Sequence, residues 1–163
     1  MIRGAQNALW IALGVAFAIT LHSVPALADD ASVKLTIYEI RASNDKGPSD
    51  PELSKGPLAK KLHKGPFRSW SKFEKLAKHD EKAKRLEAVV VPLQPGGKLS
   101  VLYRDRMKSQ GKKDRLRLSV AIDKKDGKRR LDTTVELDVG DFFLVGGSPL
   151  PGGATYILAI SVR

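Results

Sequence analysis

Leu116-Arg117-Leu118-Ser119-Val120-Ala121-Ile122 and Leu131-Asp132-Thr133-Thr134-Val135-Glu136-Leu137 both alternate apolar and polar residues, with Asp126-Gly127 between them. Period-two alternation marks a strand with one buried face, and Asp-Gly suits a tight turn. The pair therefore reads as a β-hairpin turning at Asp123–Lys128. Because the apolar residues must share one side, even positions of the first strand must oppose odd positions of the second. Pairing Ile122 with Leu131 sets Arg117 against Glu136 and Arg115 against Asp138; a slip of two residues still sets Arg115 against Glu136. Either register joins opposite charges on the outer face and leaves the turn lysines uncompensated.

Working outward, Leu86–Leu93 and Lys98–Arg104 form another hairpin across Gln94-Pro95-Gly96-Gly97, where glycine suits the positive φ of a turn. Val33 to Ala42 reads as the first strand. Asp141–Val145 is a short strand, Gly146–Gly153 a glycine-rich loop, and Ala154–Val162 the last strand, with Tyr156, Leu158, Ile160 and Val162 on one face. Between Ser43 and Pro57 lies a long loop, in which Asp50 caps a helical turn that begins at Pro51. A short helix follows over Pro57–His63. Residues 67–87 admit two readings: a helix, from local propensity and the spacing of Phe73, Leu76, Ala77 and Leu86, or a strand around Phe73–His79 followed by a polar turn near Asp80–Lys84. The thin apolar content favours the strand. The expected fold is mainly β, a single antiparallel β-sandwich or small barrel of about seven strands, with one or two short helices in the 50–64 region.

The chain's first 28 residues read as a secretory signal peptide. Arg3 precedes an apolar run of 14 residues, Ala8–Leu21. That is shorter than the ~20 a membrane-spanning helix needs. Pro25 and the small-x-small Ala26-Leu27-Ala28 supply a cleavage site, and acidic Asp29-Asp30 follow. The expected organisation is thus a cleaved signal peptide at 1–28 and one β-rich domain at 29–163, exported to the periplasm or outside the cell and meeting the membrane only through the transient signal. The sequence contains no cysteine, which removes disulfides, lipid-modified cysteine, thiol nucleophiles and thiolate metal sites together.

The net charge is +11, and only Arg3 of the charged residues leaves with the signal segment. Residues 58–85 hold ten basic and three acidic side chains, and 104–130 hold twelve and four, between mildly acidic ends. Such blocks raise the local concentration of polyanions. Outside the cytoplasm the candidates are lipopolysaccharide phosphates, acidic glycans, anionic headgroups and nucleic acid. The plainer alternative is a solvated, solubilising surface.

Catalytic patterns are weak. His63 and His79 sit at no recognised metal or triad spacing, and His79-Asp80-Glu81 reads as an exposed turn. Asp138 and Asp141, near strand ends, are the candidates for a paired-carboxylate hydrolase, against the simpler reading that they cap loops and pair with arginines. Lys64-Gly65-Pro66-Phe67-Arg68-Ser69-Trp70-Ser71-Lys72-Phe73 interleaves aromatics with cations, a pattern suited to stacking on bases or sugars or to core packing, with Trp70 the stacking candidate.

Ile37-Tyr38-Glu39-Ile40-Arg41-Ala42-Ser43-Asn44, Asp50-Pro51-Glu52-Leu53, Pro66-Phe67-Arg68-Ser69-Trp70-Ser71-Lys72-Phe73, Leu131-Asp132-Thr133-Thr134-Val135 and Phe142-Phe143-Leu144-Val145-Gly146-Gly147 together resemble a set of small, signal-bearing bacterial proteins of unknown function. The resemblance implies an exported, mainly β domain in which 67–79 is strand. It carries no activity and no site residues. The functional expectation is a non-catalytic binding protein of the cell envelope, without cofactor or metal. It would recognise a polyanion through Lys112, Lys113, Lys124, Lys125, Lys128, Arg129 and Arg130, with Trp70. The alternatives are a structural subunit of an envelope or secretion assembly that binds protein, and a small hydrolase using Asp138, Asp141 or His79.

Overall fold

The computed structural model describes residues 32–108 and 113–163; the expected signal peptide (1–28) and Lys112 lie outside them. Eight strands follow in order: β1 (Ser32–Ser43), β2 (Lys72–Lys84), β3 (Ala88–Pro92), β4 (Lys98–Met107), β5 (Arg115–Asp123), β6 (Arg129–Asp138), β7 (Phe142–Leu150) and β8 (Ala154–Val162). They build two four-stranded antiparallel sheets, ordered β2-β1-β8-β7 and β3-β4-β5-β6. The sheets stay separate, so the architecture is a sandwich and not a closed barrel. Helix α1 (Gly56–Leu62) occupies the expected stretch. Asp50 caps a turn just before it, its Oδ1 accepting from the Glu52 amide at 2.8 Å.

The β5–β6 ladder has the register that its charges and apolar face demand. Ile122 faces Leu131, Arg117 faces Glu136 and Arg115 faces Asp138. Arg115 Nε donates to Asp138 Oδ1 at 3.0 Å, and Arg117 reaches Glu136 Oε1 at 3.2 Å and Asp105 Oδ2 at 3.3 Å. Cross-strand pairs of this kind each contribute about 0.2–1 kcal/mol. The other face buries Leu116, Leu118, Val120 and Ile122 in the core between the sheets.

In the first sheet the central strands are buried on both faces, which is why β8 reads as a nearly unbroken apolar run. Leu35, Ile37, Leu158 and Ile160 point into the sandwich. Ile40, Ala42, Ile157 and Ala159 point outward under Leu58 and Leu62 of α1 and Phe73 of β2. Three sequence expectations are corrected here. β2 continues through Asp80–Lys84, where a turn was expected, because β1 offers it a long ladder from Ser32↔Lys84 to Ser43↔Lys72. The actual turn is at Leu86, an exposed leucine with φ +62° whose amide donates to Tyr103 O at 2.8 Å. Ahead of β2, Gly65–Ser69 form a 3-10 helix instead of strand. The glycine-rich loop is likewise mostly strand: β7 runs to Leu150 with a bulge between Gly146 and Ser148, and the turn is confined to Pro151–Gly153. Gly146 is needed for room, since a Cβ there would lie 2.7 Å from Phe67 Cε1.

Glu52 ties the 44–55 connection to the sheet. Its carboxylate accepts from Lys75 Nζ at 2.6 Å, Lys78 Nζ at 2.8 Å and the Tyr38 hydroxyl at 2.8 Å. These donors, the two lysines foremost, hold its pKa down to about 2. A carboxyl group titrating lower in the folded state than in the unfolded chain, where it sits near ~4.3, stabilises the fold above that value and loses its contribution as pH falls toward 2. The melting temperature of wild type should therefore exceed that of Glu52→Gln at pH 6, with the gap closing between about pH 4.5 and pH 2. Thermal melts of both proteins across that range check this; a gap independent of pH would refute it.

Candidate functional site

At one end of the sandwich the β3–β4 and β5–β6 turns meet. In the latter, the Lys124 amide donates to Lys128 O and the Gly127 amide to Lys124 O, both at 2.9 Å, and Asp126 Oδ1 accepts from the Lys128 amide at 3.1 Å. This tight turn thrusts Lys124, Lys125 and Lys128 into solvent. Gly97 of the neighbouring turn lies so close that a Cβ on it would come within 2.1 Å of Asp123 O. Gly96 packs on the aliphatic stem of Lys125.

The cations of this end are not equivalent. Arg129 is held by Asp123 through Nε and by Asp132 at 2.6 Å; the hydrogen bond to Asp123 is the main cause of its raised pKa. Asp123 also faces Lys98 at 3.8 Å. Lys128 lies 3.8 Å from Asp126. Lys124, Lys125 and Arg130 make no ion pair or side-chain hydrogen bond among the described residues. These three border a cavity of about 400 Å³ between the sheets, floored by Leu93 of the β3–β4 turn and Ile122 of β5 on one side and by Val145, Tyr156 and Leu158 of the other sheet.

Beside that floor is a fully buried carboxyl group, which the sequence reading did not single out. Glu39 Oε2 accepts from the Tyr156 hydroxyl at 2.6 Å and the Gln94 amide at 2.8 Å, and its Oε1 lies 2.8 Å from His79 Nε2. One side chain of β1 thereby joins β2, β8 and the β3–β4 turn. Burial, reinforced by the bond to Glu39, drives the Tyr156 pKa far upward and keeps its O–H a donor. The available signal was a break in pattern: Val33, Leu35 and Ile37 call for a fourth apolar residue at position 39.

The remaining expected residues are not gathered at this end. Lys113 precedes β5 and lies at its opposite end from Lys124, about 30 Å away at the rise of a strand. Trp70 is half-buried against the outer cluster, with Phe67 and Leu144. In the first basic block Lys75 and Lys78 are taken up by Glu52, and Lys72 pairs with Glu74 at 2.8 Å. The hydrolase candidates are also apart in role. Asp138 pairs with Arg115, Asp141 with Lys61 Nζ of α1 at 2.7 Å, and His79 with Glu39. Among the described residues, no three His, Asp or Glu side chains converge as a metal-holding group. No family model, curated protein or solved structure matches the chain.

Proposed function

We propose that the chain is an exported, non-catalytic binding protein of the cell envelope that captures an anionic ligand at the basic end of the sandwich. The observation that carries this reading is the group of Lys124, Lys125 and Arg130, which have no acidic partner among the described residues and border an apolar-floored cavity. Cations already paired with acids contribute little field to a ligand; unpaired ones at the mouth of a low-dielectric cleft focus it. The export part of the reading rests on the sequence of residues 1–28.

Binding of heparin, lipopolysaccharide and DNA to the purified protein, at low and physiological salt, tests the proposal. The triple variant Lys124→Glu, Lys125→Glu and Arg130→Glu is expected to bind at least about tenfold more weakly. Its logarithmic salt slope should be shallower by roughly 0.7–0.9 for each phosphate that is no longer neutralised. Lys113→Glu, at the far end, should change little. Wild-type affinity in the triple variant would overturn the assignment. A second reading, a subunit that recognises protein through a sheet edge, draws support from edge strand β3, where Val90 is 55 % exposed. A stable partner that co-purifies in high salt would favour it.

A further inference from the structure

We infer that the cavity accepts the hydrocarbon tail of a single-chain amphiphile whose phosphate, sulfate or carboxylate headgroup is held by Lys124, Lys125 and Arg130. The inference rests on the anion-binding reading above and names its ligand class. A polymer such as DNA or an acidic glycan would use the cations and leave the space behind them empty. That space is mostly apolar: the side chains of Leu93, Ile122, Val145 and Leu158 offer no hydrogen bond, the Tyr156 hydroxyl in the floor already donates to Glu39 at 2.6 Å, and apart from the charged residues Ser148 alone adds a hydroxyl to the lining. A polar group pushed inward would therefore give up most of its hydration with only the Ser148 hydroxyl to replace it, whereas a methylene chain gains from burial. The mouth has the complementary character. Lys125 lays its aliphatic stem along Gly96, its Cβ, Cγ and Cδ 3.2–3.4 Å from where a glycine Cβ would stand, so the stem extends the apolar wall. Of the acids at the mouth, Asp123 is engaged by Arg129 and Asp126 faces Lys128, which leaves the three unpaired cations to set the sign. A volume of about 400 Å³ lies at the small end of ligand cavities and suits one short chain.

Titration calorimetry of the purified protein with hexyl, octyl and decyl phosphate, each below its micelle concentration, reads the inference directly. Inorganic phosphate, decyltrimethylammonium, heparin and phosphatidylglycerol vesicles serve as comparison probes. Affinity should rise by about fourfold per added methylene until the cavity is full, with one site per chain. Decyltrimethylammonium should bind at least about tenfold more weakly than decyl phosphate, because its headgroup meets cations of the same sign. Val145→Trp, which fills the cavity, should flatten the chain-length series. If that variant fails to fold, judged by circular dichroism, the wild-type series alone decides. A flat series with heparin still bound would overturn the amphiphile and leave the anion site standing; no binding of either would overturn both. Vesicle binding without decyl phosphate binding would place recognition at a membrane surface, which also refutes the cavity.

Discussion

Glu39→Ala is expected to destabilise the protein by about 3–5 kcal/mol, lowering its melting temperature by roughly 10–15 °C. Truncation removes the acceptor for the Tyr156 hydroxyl and the Gln94 amide and strips His79 of its partner; the carboxyl group and Tyr156 are buried, while the His79 side chain is a quarter exposed. Stranded donors are costly because they lose hydration in the folded state and regain nothing. They sit on β8 and on the β3–β4 turn, so the damage falls on the joint between the two sheets. Glu39→Gln separates this from loss of volume. Its amide oxygen can accept from Tyr156 and Gln94 while its nitrogen faces His79, and the cost should fall to about 1–2 kcal/mol. Denaturant melts of the two variants provide the check, and equal losses would show that hydrogen bonding at Glu39 is not what holds the sheets.

Gly97→Ala should be nearly as damaging, at about 3 kcal/mol or more. Two effects add there. The φ of +93° is disfavoured for any residue with a Cβ, and that Cβ would stand 2.1 Å from Asp123 O and 2.9 Å from Lys124 C. Those are backbone atoms of a tight turn, so no rotamer change relieves the overlap. Gly127→Ala is the matched control. Its φ is +79° with nothing within 4 Å of the added carbon, so it carries the conformational strain alone, about 1 kcal/mol. The difference between the two variants, measured by chemical denaturation, isolates the close approach of the two turns. Because that approach supports Lys124 and Lys125, Gly97→Ala should also weaken anion binding; identical stabilities for the two variants would argue against it.

What could be read from the chain was whatever its local chemistry over-determines. The β5–β6 register was legible because apolar alternation and the placement of Arg115, Arg117, Glu136 and Asp138 all require the same pairing. The extent of β2 was not, because Lys75 to Lys84 carries helix-favouring residues and is strand only by virtue of the long partner beside it. Leu86 hid the true turn, since leucine advertises no positive φ. At the site, the Lys124–Arg130 cluster was visible as a run. Its grouping with Lys113 failed because the whole of strand β5 intervenes, and the neutralisation of Arg129 depends on the bulge between Ile122 and Asp123 that sets Asp123 opposite it. Glu39 showed only as an interruption. Its partners lie 40, 55 and 117 residues away in sequence, and no local pattern foretells them.

The strand order also constrains when the molecule can form. β3 to β6 follow one another as a meander, so each ladder closes over a short loop and can assemble as soon as its residues are available. The other sheet is stitched from the two ends of the described chain: Leu35 pairs with Val162, and Ala42 with Thr155. Until Ala154–Val162 have been synthesised, one side of β1 remains a row of unmatched amides and carbonyls, an adhesive edge that a neighbouring nascent chain can occupy. Completion must wait for β8, and the long-range closure places folding in the slow regime of β-sandwiches, on the order of milliseconds to seconds. The open edge of β1 lasts for as long as β8 is missing, and that interval is set by the place of one strand in the order.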